Sequence, residues 1–235
     1  MRTKVIAIVP AAGRGERFHP SIRKTFVEVA GVPLLIYTLK RLHEIKPITE
    51  IIPVLREGDM EKGLELIEAH NLSKIKRIAP GGEERQDSIY NALRLIREVE
   101  DSTLRDGLVL IHDGVRPLIF AGLIEKLLHD IKGVDGVALG LPVKETLKEV
   151  DARMFVLSTV TREKLWAIQT PQVFPVRVIK KAYDRAYKDG FYATDDAALV
   201  ERIGGKVKII AGSPFNIKVT TPEDLEMVEY LLSKQ

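Results

Sequence analysis

The sequence predicts an α/β protein: a twisted, mostly parallel central sheet covered by helices on both faces, with one projecting β-arm. Three observations carry that expectation. Short apolar runs alternate with segments of helical period along most of the chain. Runs such as "KVIAIV" and "GLVLI" are continuously apolar, as strands buried on both faces are. The alternation then breaks once, over residues 144–170.

Taken in order, residues 4–9 read as a strand and 32–45 as a helix. Residues 50–55 are a second strand, 60–69 a helix and 74–78 a short strand. The 84–99 helix places Ile89, Leu93 and Ile96 on one face. Residues 107–111 form a buried strand, 120–131 a helix and 136–141 another strand. The 144–170 stretch is rich in β-branched and aromatic residues, has a charged "EVDAR" suited to a turn, and lacks a helical face. It is expected to form two extended segments outside the main sheet. Helices resume at 176–188 and 195–203, with a strand at 206–210 between them and the C-terminal helix. In "TTPEDLEMVEYLLSK" Thr221 suits the N-cap, Pro222 the first helical position and Asp224 the third. No repeat, low-complexity tract or Gly/Ser linker divides the chain, so residues 1–235 are expected to form one domain with an arm at about 144–170.

Composition narrows the function. Lys and Arg exceed Asp and Glu by 36 to 33, a net charge of +3 that gives no basic stripe for nucleic acid. A local cationic pocket for a small anion remains compatible with it. There is no cysteine, hence no disulfide, thiol nucleophile or thiolate metal site. The five histidines show no zinc-ligand spacing. The apolar N-terminal run is too short for a signal peptide, and no stretch reaches membrane-spanning length, so the expected location is the cytoplasm.

Chemistry-bearing stretches fall where strands end, which is where open α/β sheets bind ligands. "PAAGRGERF" follows the first strand. Its small residues admit close backbone approach, and Arg14 and Arg17 bring charge. It is neither a P-loop nor a dinucleotide fingerprint: no Gly-Lys-Ser/Thr closes it, and Phe18 stands where a third glycine belongs. A tight strand-to-helix connection explains the turn equally well. Lys24 in "RKTF" is a solvent lysine by default, near enough in sequence to serve a phosphate. "APGGEERQDS" makes a helix N-terminus whose free N–H groups suit a ring or an anion. In "LIHDGVRP", Asp113 is either a turn cap or a hard-oxygen magnesium ligand, and His112 reads as a packed strand-end residue. "TDD" at 194–196 reads as an N-cap, and Lys218 as a strand flank.

Together these stretches resemble the 2-C-methyl-D-erythritol 4-phosphate cytidylyltransferase family. The pieces "PAAGRGERF", "RKTF", "GGEERQDS", "HDGVRP", "PVKETLK", "TVTREKLWAIQTPQVF", "TDDA" and "NIKVTTPEDL" run through nearly the whole chain in the family's order. The resemblance implies a Rossmann-like nucleotidyltransferase fold and transfer of the cytidylyl group of CTP, with Mg2+ or another divalent cation, to methylerythritol phosphate. It implies that Pro10, Ala11, Ala12 and Gly13 lie along CTP, with Gly82, Glu83 and Ser88 around cytosine and ribose. Arg17 and Lys24 would stabilise the α-phosphate, and Asp113 would face the magnesium and the acceptor's hydroxyls. Arg116, Thr146, Arg162, Thr170, Thr194 and Lys218 would surround the acceptor, Arg162 and Lys218 gripping its phosphate. It implies a homodimer in which the arm carries Thr146, Arg162 and Thr170 into the partner's site.

This chain departs from the family pattern in places. Arg23 and Thr25 flank Lys24 where Pro and Gln are usual, Glu83 replaces Asp, and Gly114-Val115 replaces two small residues. A ribitol-5-phosphate cytidylyltransferase is the alternative within the class. An NAD-dependent oxidoreductase needs the missing glycine, and a non-catalytic sensor or nucleic-acid-binding module needs no convergence of Arg17, Lys24, Asp113, Arg162 and Lys218.

Overall fold

The structure is a computed structural model describing residues 3–13, 18, 23–96 and 106–234. Its strands are β1 (Val5–Pro10), β2 (Glu28–Val29), β3 (Val32–Pro33), β4 (Ile48–Leu55), β5 (Ala79–Pro80), β6 (Leu108–Ile111), β7 (Gly136–Pro142), β8 (Leu147–Val150), β9 (Val156–Val160), β10 (Trp166–Pro175) and β11 (Val207–Ala211). Its helices are α1 (Leu34–Glu44), α2 (Met60–Ala69), α3 (Arg85–Leu95), α4 (Ala121–Asp130), α5 (Val176–Lys188), α6 (Asp196–Arg202) and α7 (Pro222–Leu232). Seven strands form the central sheet in the order β11-β7-β10-β6-β1-β4-β5. Every pairing in it is parallel except those of β10, which runs antiparallel between β6 and β7.

The period-2 geometry of a strand explains the two helical layers. From β1, Val5, Ala7 and Val9 enter one apolar layer with α1, α2 and α4. Ile6 and Ile8 point oppositely, into a layer with α3, α5 and α6. Both sets are fully or almost fully buried. Truncating a core residue such as Ile8 to alanine costs about 2–5 kcal/mol. A third cluster seats α7 through Val228 against Leu34, Val115 and Val219, beside the carboxyl edge of the sheet. The capping box expected for α7 is present, with Thr221 and Asp224 exchanging hydrogen bonds and Pro222 in the first turn. Among the described residues no helix is long and apolar enough to cross a membrane.

Four expectations are corrected. The 32–45 helix begins at Leu34, because Val32–Pro33 pairs with Glu28–Val29 and Pro33 keeps an extended ψ of 139°. The expected strand at 74–78 makes one isolated bridge, Ile75 to Ile51, and the ladder partner of β4 is Ala79–Pro80 instead. The 84–99 helix is described as Arg85–Leu95, and its expected last residues, 97–99, lie outside the described residues. Finally, the arm stops short of residue 170. β8 and β9 pair only with each other, whereas Trp166–Pro175 enters the central sheet, where Val173 and Phe174 are fully buried. Thr170 therefore belongs to the sheet of its own chain and not to the arm.

Candidate active site

Connections at the carboxyl edge of the parallel strands enclose a cleft of about 1190 Å³. Pro10–Gly13 enter from β1, Arg56 and Glu57 from β4, residues 81–85 from β5, Asp113 and Val115 from β6, and Lys218 from the segment after β11. Lys24 and Thr25 close one side. Of the ten sequence-predicted residues that meet here, eight are Pro10, Ala11, Ala12, Gly13, Gly82, Glu83, Ser88 and Asp113. Lys24 and Lys218 join them.

The β1 and β5 connections touch. A Cβ on Gly81 would run into the Ala12 methyl, and one on Gly82 into the Asp87 side chain, so both glycines are needed for close approach. Ser88 lines the cleft, but its hydroxyl is engaged in the turn, accepting from Gly82 N–H at 3.0 Å and donating to the Glu84 carbonyl at 3.1 Å. Glu84 and Asp87 form a capping box at the start of α3. The departures around Lys24 also find partners. Arg23 is ion-paired with Asp59, and the Thr25 hydroxyl donates to the Ala11 carbonyl at 3.0 Å. Gly114 packs against Ala11, where a Cβ would approach the Ala11 Cβ to 3.1 Å. Val115 joins the third apolar cluster.

Asp113 anchors the other half of the cleft. Its Oδ2 meets Lys218 Nζ at 3.0 Å and Arg116 Nε at 3.3 Å, and its Oδ1 meets Arg85 Nε at 3.5 Å. Burial alone would raise its pKa. The charges of Arg85, Lys218 and Arg116 outweigh burial and hold the carboxyl well below the usual range. Arg85 is in turn held by Asp196, with bonds of 2.8 and 3.2 Å, and Asp196 accepts from the Tyr183 hydroxyl at 2.5 Å. Burial works against the Arg85 charge, but Asp196 and Asp113 more than offset it, so its pKa is raised.

A second chain of bonds supports Asp113 from below. His112 Nε2 donates to the Arg116 carbonyl at 3.1 Å, which leaves Nδ1 to accept from the Thr170 hydroxyl at 3.2 Å. Thr170 Oγ1 then accepts from Asp113 N–H at 3.0 Å. Burial pushes the His112 pKa down to about 4, so the ring is neutral at pH 7. Arg116 also donates to the Asn216 carbonyl at 2.7 Å, and Asn216 Nδ2 to the Thr170 carbonyl at 2.7 Å. Thr170 and Arg116 are thus buried beneath the cleft. Arg85, Asp196, Tyr183 and Asn216 escape a sequence reading. Arg85 stands in "GGEER" and Asp196 in "TDD", where a helix start explains both, and only Asp195 proves to be the cap.

Three other expected residues, among those described, do not line the cleft of their own chain. Thr146 and Arg162 sit on the exposed arm, where Arg162 donates to the Lys144 carbonyl. Thr194 is exposed just ahead of α6. Arg14 and Arg17 lie outside the described residues. The donor set does not fit a protein-held divalent cation. Among the described residues no three acidic or histidine side chains converge, and both Asp113 oxygens already face cations.

Comparison with known proteins identifies the family and the fold. The family model for 2-C-methyl-D-erythritol 4-phosphate cytidylyltransferase matches residues 5–234. A protein of that name from Dictyoglomus thermophilum is 42% identical over 233 residues, 98% of this chain and 97% of its own. One from Syntrophus aciditrophicus is 40% identical, covering 100% of this chain and 98% of its own. The crystal structure of a 4-diphosphocytidyl-2C-methyl-D-erythritol synthase from Anaerococcus prevotii superimposes with a TM-score of 0.83 at 31% identity, covering 98% of this chain and 96% of that one. The Thermus thermophilus cytidylyltransferase structure gives 0.78 at 29% identity, covering 99% and 100%. The fold is the Rossmann-like nucleotidyltransferase form, and the chain belongs to the 2-C-methyl-D-erythritol 4-phosphate cytidylyltransferase family.

Proposed function

We propose that this cleft is where the chain performs its family's reaction: CTP plus 2-C-methyl-D-erythritol 4-phosphate gives 4-diphosphocytidyl-2-C-methyl-D-erythritol and pyrophosphate, a step in isoprenoid precursor synthesis. The observation that carries the reading is the convergence of Lys24, Lys218 and the Asp113 web on one cleft beside a small-residue turn. An oxygen of the acceptor phosphate forms a bond to the α-phosphorus of CTP. The bond to the bridging oxygen breaks on the opposite side, and pyrophosphate leaves with that electron pair. A phosphate monoester is largely dianionic at neutral pH, so its oxygen attacks without a general base. The protein's work is positioning and charge stabilisation.

Lys24, with Arg17, neutralises charge on the α-phosphate. Pro10–Gly13 lie along the nucleotide, while Gly82 and Glu83 meet cytosine and ribose, with Ser88 holding Gly82 in place. Lys218 grips the acceptor phosphate, and Asp113, set by Arg116 and Thr170, meets its hydroxyls. Thr194 borders the acceptor side. Thr146 and Arg162 act in a partner's cleft within a homodimer, a reading supported by the arm's exposed apolar tip, where Met154 is 76% and Phe155 66% exposed. Magnesium, if required, would come with CTP as part of the substrate and would lower the charge of its triphosphate, with no residue of this chain assigned to hold it. With CTP as co-substrate we place the enzyme in the cytoplasm.

Pyrophosphate release, measured with CTP and either methylerythritol phosphate or ribitol 5-phosphate, tests the assignment. The curated relatives described above carry the methylerythritol name, and the expected result is turnover with that acceptor and little with ribitol 5-phosphate. A preference for ribitol 5-phosphate, or no CTP-dependent pyrophosphate, would overturn it.

A further inference from the structure

The turn after β1 has an unusual property: three consecutive carbonyls are each taken up by a donor from a different element. Pro10 O accepts from Gly114 N–H at 3.1 Å. Ala11 O accepts from the Thr25 hydroxyl at 3.0 Å, and Ala12 O from Arg56 Nε at 2.8 Å. The Ala11 N–H donates to Val54 O at 2.9 Å, pinning the turn to β4. The next two N–H groups, of Ala12 and Gly13, have no acceptor among the described residues, and both residues line the cleft. Carbonyl oxygens facing a triphosphate repel it, whereas successive N–H groups make a concave anion site. Which way the peptide planes face therefore decides whether the turn attracts or repels the nucleotide.

We infer that Arg56 and Thr25 are positioning residues for CTP: they hold the Ala12 and Ala11 carbonyls away from the cleft, leaving the turn's free N–H groups for the triphosphate. Neither role was legible in sequence. Arg56 follows β4 with no motif around it, and Thr25 stands where the family usually has glutamine. The inference rests on the reading that CTP lies along this turn. It adds that the guanidinium of Arg56 works through its Nε–H on the backbone rather than as a charge on phosphate.

Side-chain connectivity provides a direct test. The Nε2 of glutamine occupies the same place along the side chain as the Nε of arginine, so Arg56→Gln keeps the donor and discards the charge. Arg56→Met matches glutamine in length and discards both. CTP binding is measured by titration calorimetry, the KM for each substrate by pyrophosphate release, and folding by thermal melts. Arg56→Met is expected to weaken CTP by roughly tenfold, the scale of one lost hydrogen bond, with the KM for the acceptor unchanged. Arg56→Gln is expected to recover most of that loss. Thr25→Val and Thr25→Ser form a second pair, with serine restoring what valine loses. Equal weakening in Arg56→Gln and Arg56→Met would mean that the guanidinium charge itself meets the nucleotide. Unchanged CTP affinity in both, and in Thr25→Val, would mean that the turn holds its shape without them. Either result overturns the inference. Failure of the wild-type protein to bind CTP would instead defeat the functional reading beneath it.

Discussion

The web around Asp113 and the arm carrying β8 and β9 satisfy their side chains in opposite ways. In the web, every charged group meets a counter-charge or a carbonyl of its own chain, and Asp113, Arg116, Thr170, Asp196 and Asn216 are all buried. On the arm, Val156 and Leu157 are exposed along with Met154 and Phe155, and β8 and β9 pair only with each other. A polar cluster whose charged groups are all paired inside one chain, with Asn216 Oδ1 left without a partner among the described residues, is preorganised before substrate arrives. A contiguous exposed apolar tip of this kind is the feature that interaction surfaces typically carry, and it supports the partner contact proposed above. Half the proposed site is thus finished by folding, and in the homodimer we propose the other half comes with assembly.

Substitutions should separate the two halves by what they damage. Asp113→Asn strikes the preformed half and should cost both activity and stability. Removing one member of a buried charge cluster typically costs about 3 kcal/mol, because the remaining cations lose their compensation. Urea unfolding and steady-state turnover should both fall. A variant that kept wild-type stability would show that the web is looser than its distances imply.

Lys24→Ala and Arg162→Ala should each lower kcat by roughly 100-fold, the usual loss for one transition-state contact. Arg162→Ala should not shift the melting temperature much, because Arg162 is exposed and exposed substitutions typically change stability by less than about 0.5 kcal/mol. If Arg162→Ala melted early, the arm would be packing against its own sheet, and the contrast between the halves would fail.

The smallest effect concerns pH. The His112 pKa is held down to about 4 from 6.5 by burial, so the unfolded chain binds a proton between those values that the folded chain refuses. Its contribution is therefore fully present above pH 6.5 and is lost as pH falls toward 4. Between pH 6.5 and about pH 5 the loss amounts to roughly 2 kcal/mol. Asp113, whose pKa is lowered, adds a loss in the same direction at more acid pH. Denaturant midpoints across this range should fall for the wild type and fall less for His112→Asn. Parallel slopes in the two proteins would contradict a buried neutral ring.

The fold was readable in sequence because the central strands β1, β6 and β7 are unbroken apolar runs and its helices carry periodic faces. Misreadings arose where tertiary contacts decide. The 74–78 segment has strand composition but meets β4 at a single bridge, and residues 166–170 look like arm until their pairing with β7 is seen. Much of the site was readable through the resemblance, since glycines, Lys24, Asp113 and Lys218 stand in recognisable strings. Its supports were not. Tyr183 and Asn216 act through neighbours 13 and 46 positions away, a relation that no local pattern records. Thr170, expected on the arm, lies instead in β10, with its hydroxyl bonded to Asp113 N–H and His112 of its own chain.

The central claim, that one half of each site is supplied by a second copy of the chain, is tested most directly by mixing two defective proteins. An Arg162→Ala chain and a Lys24→Ala chain, each nearly inactive alone, are combined under verified subunit exchange, and pyrophosphate release is followed. With arms crossing between subunits, a mixed dimer has one site bearing both defects and one bearing neither. Random pairing makes about half the dimers mixed, so roughly a quarter of all sites should regain wild-type turnover. If exchange is complete and activity stays at the level of the separate variants, each chain uses its own arm and the account is wrong.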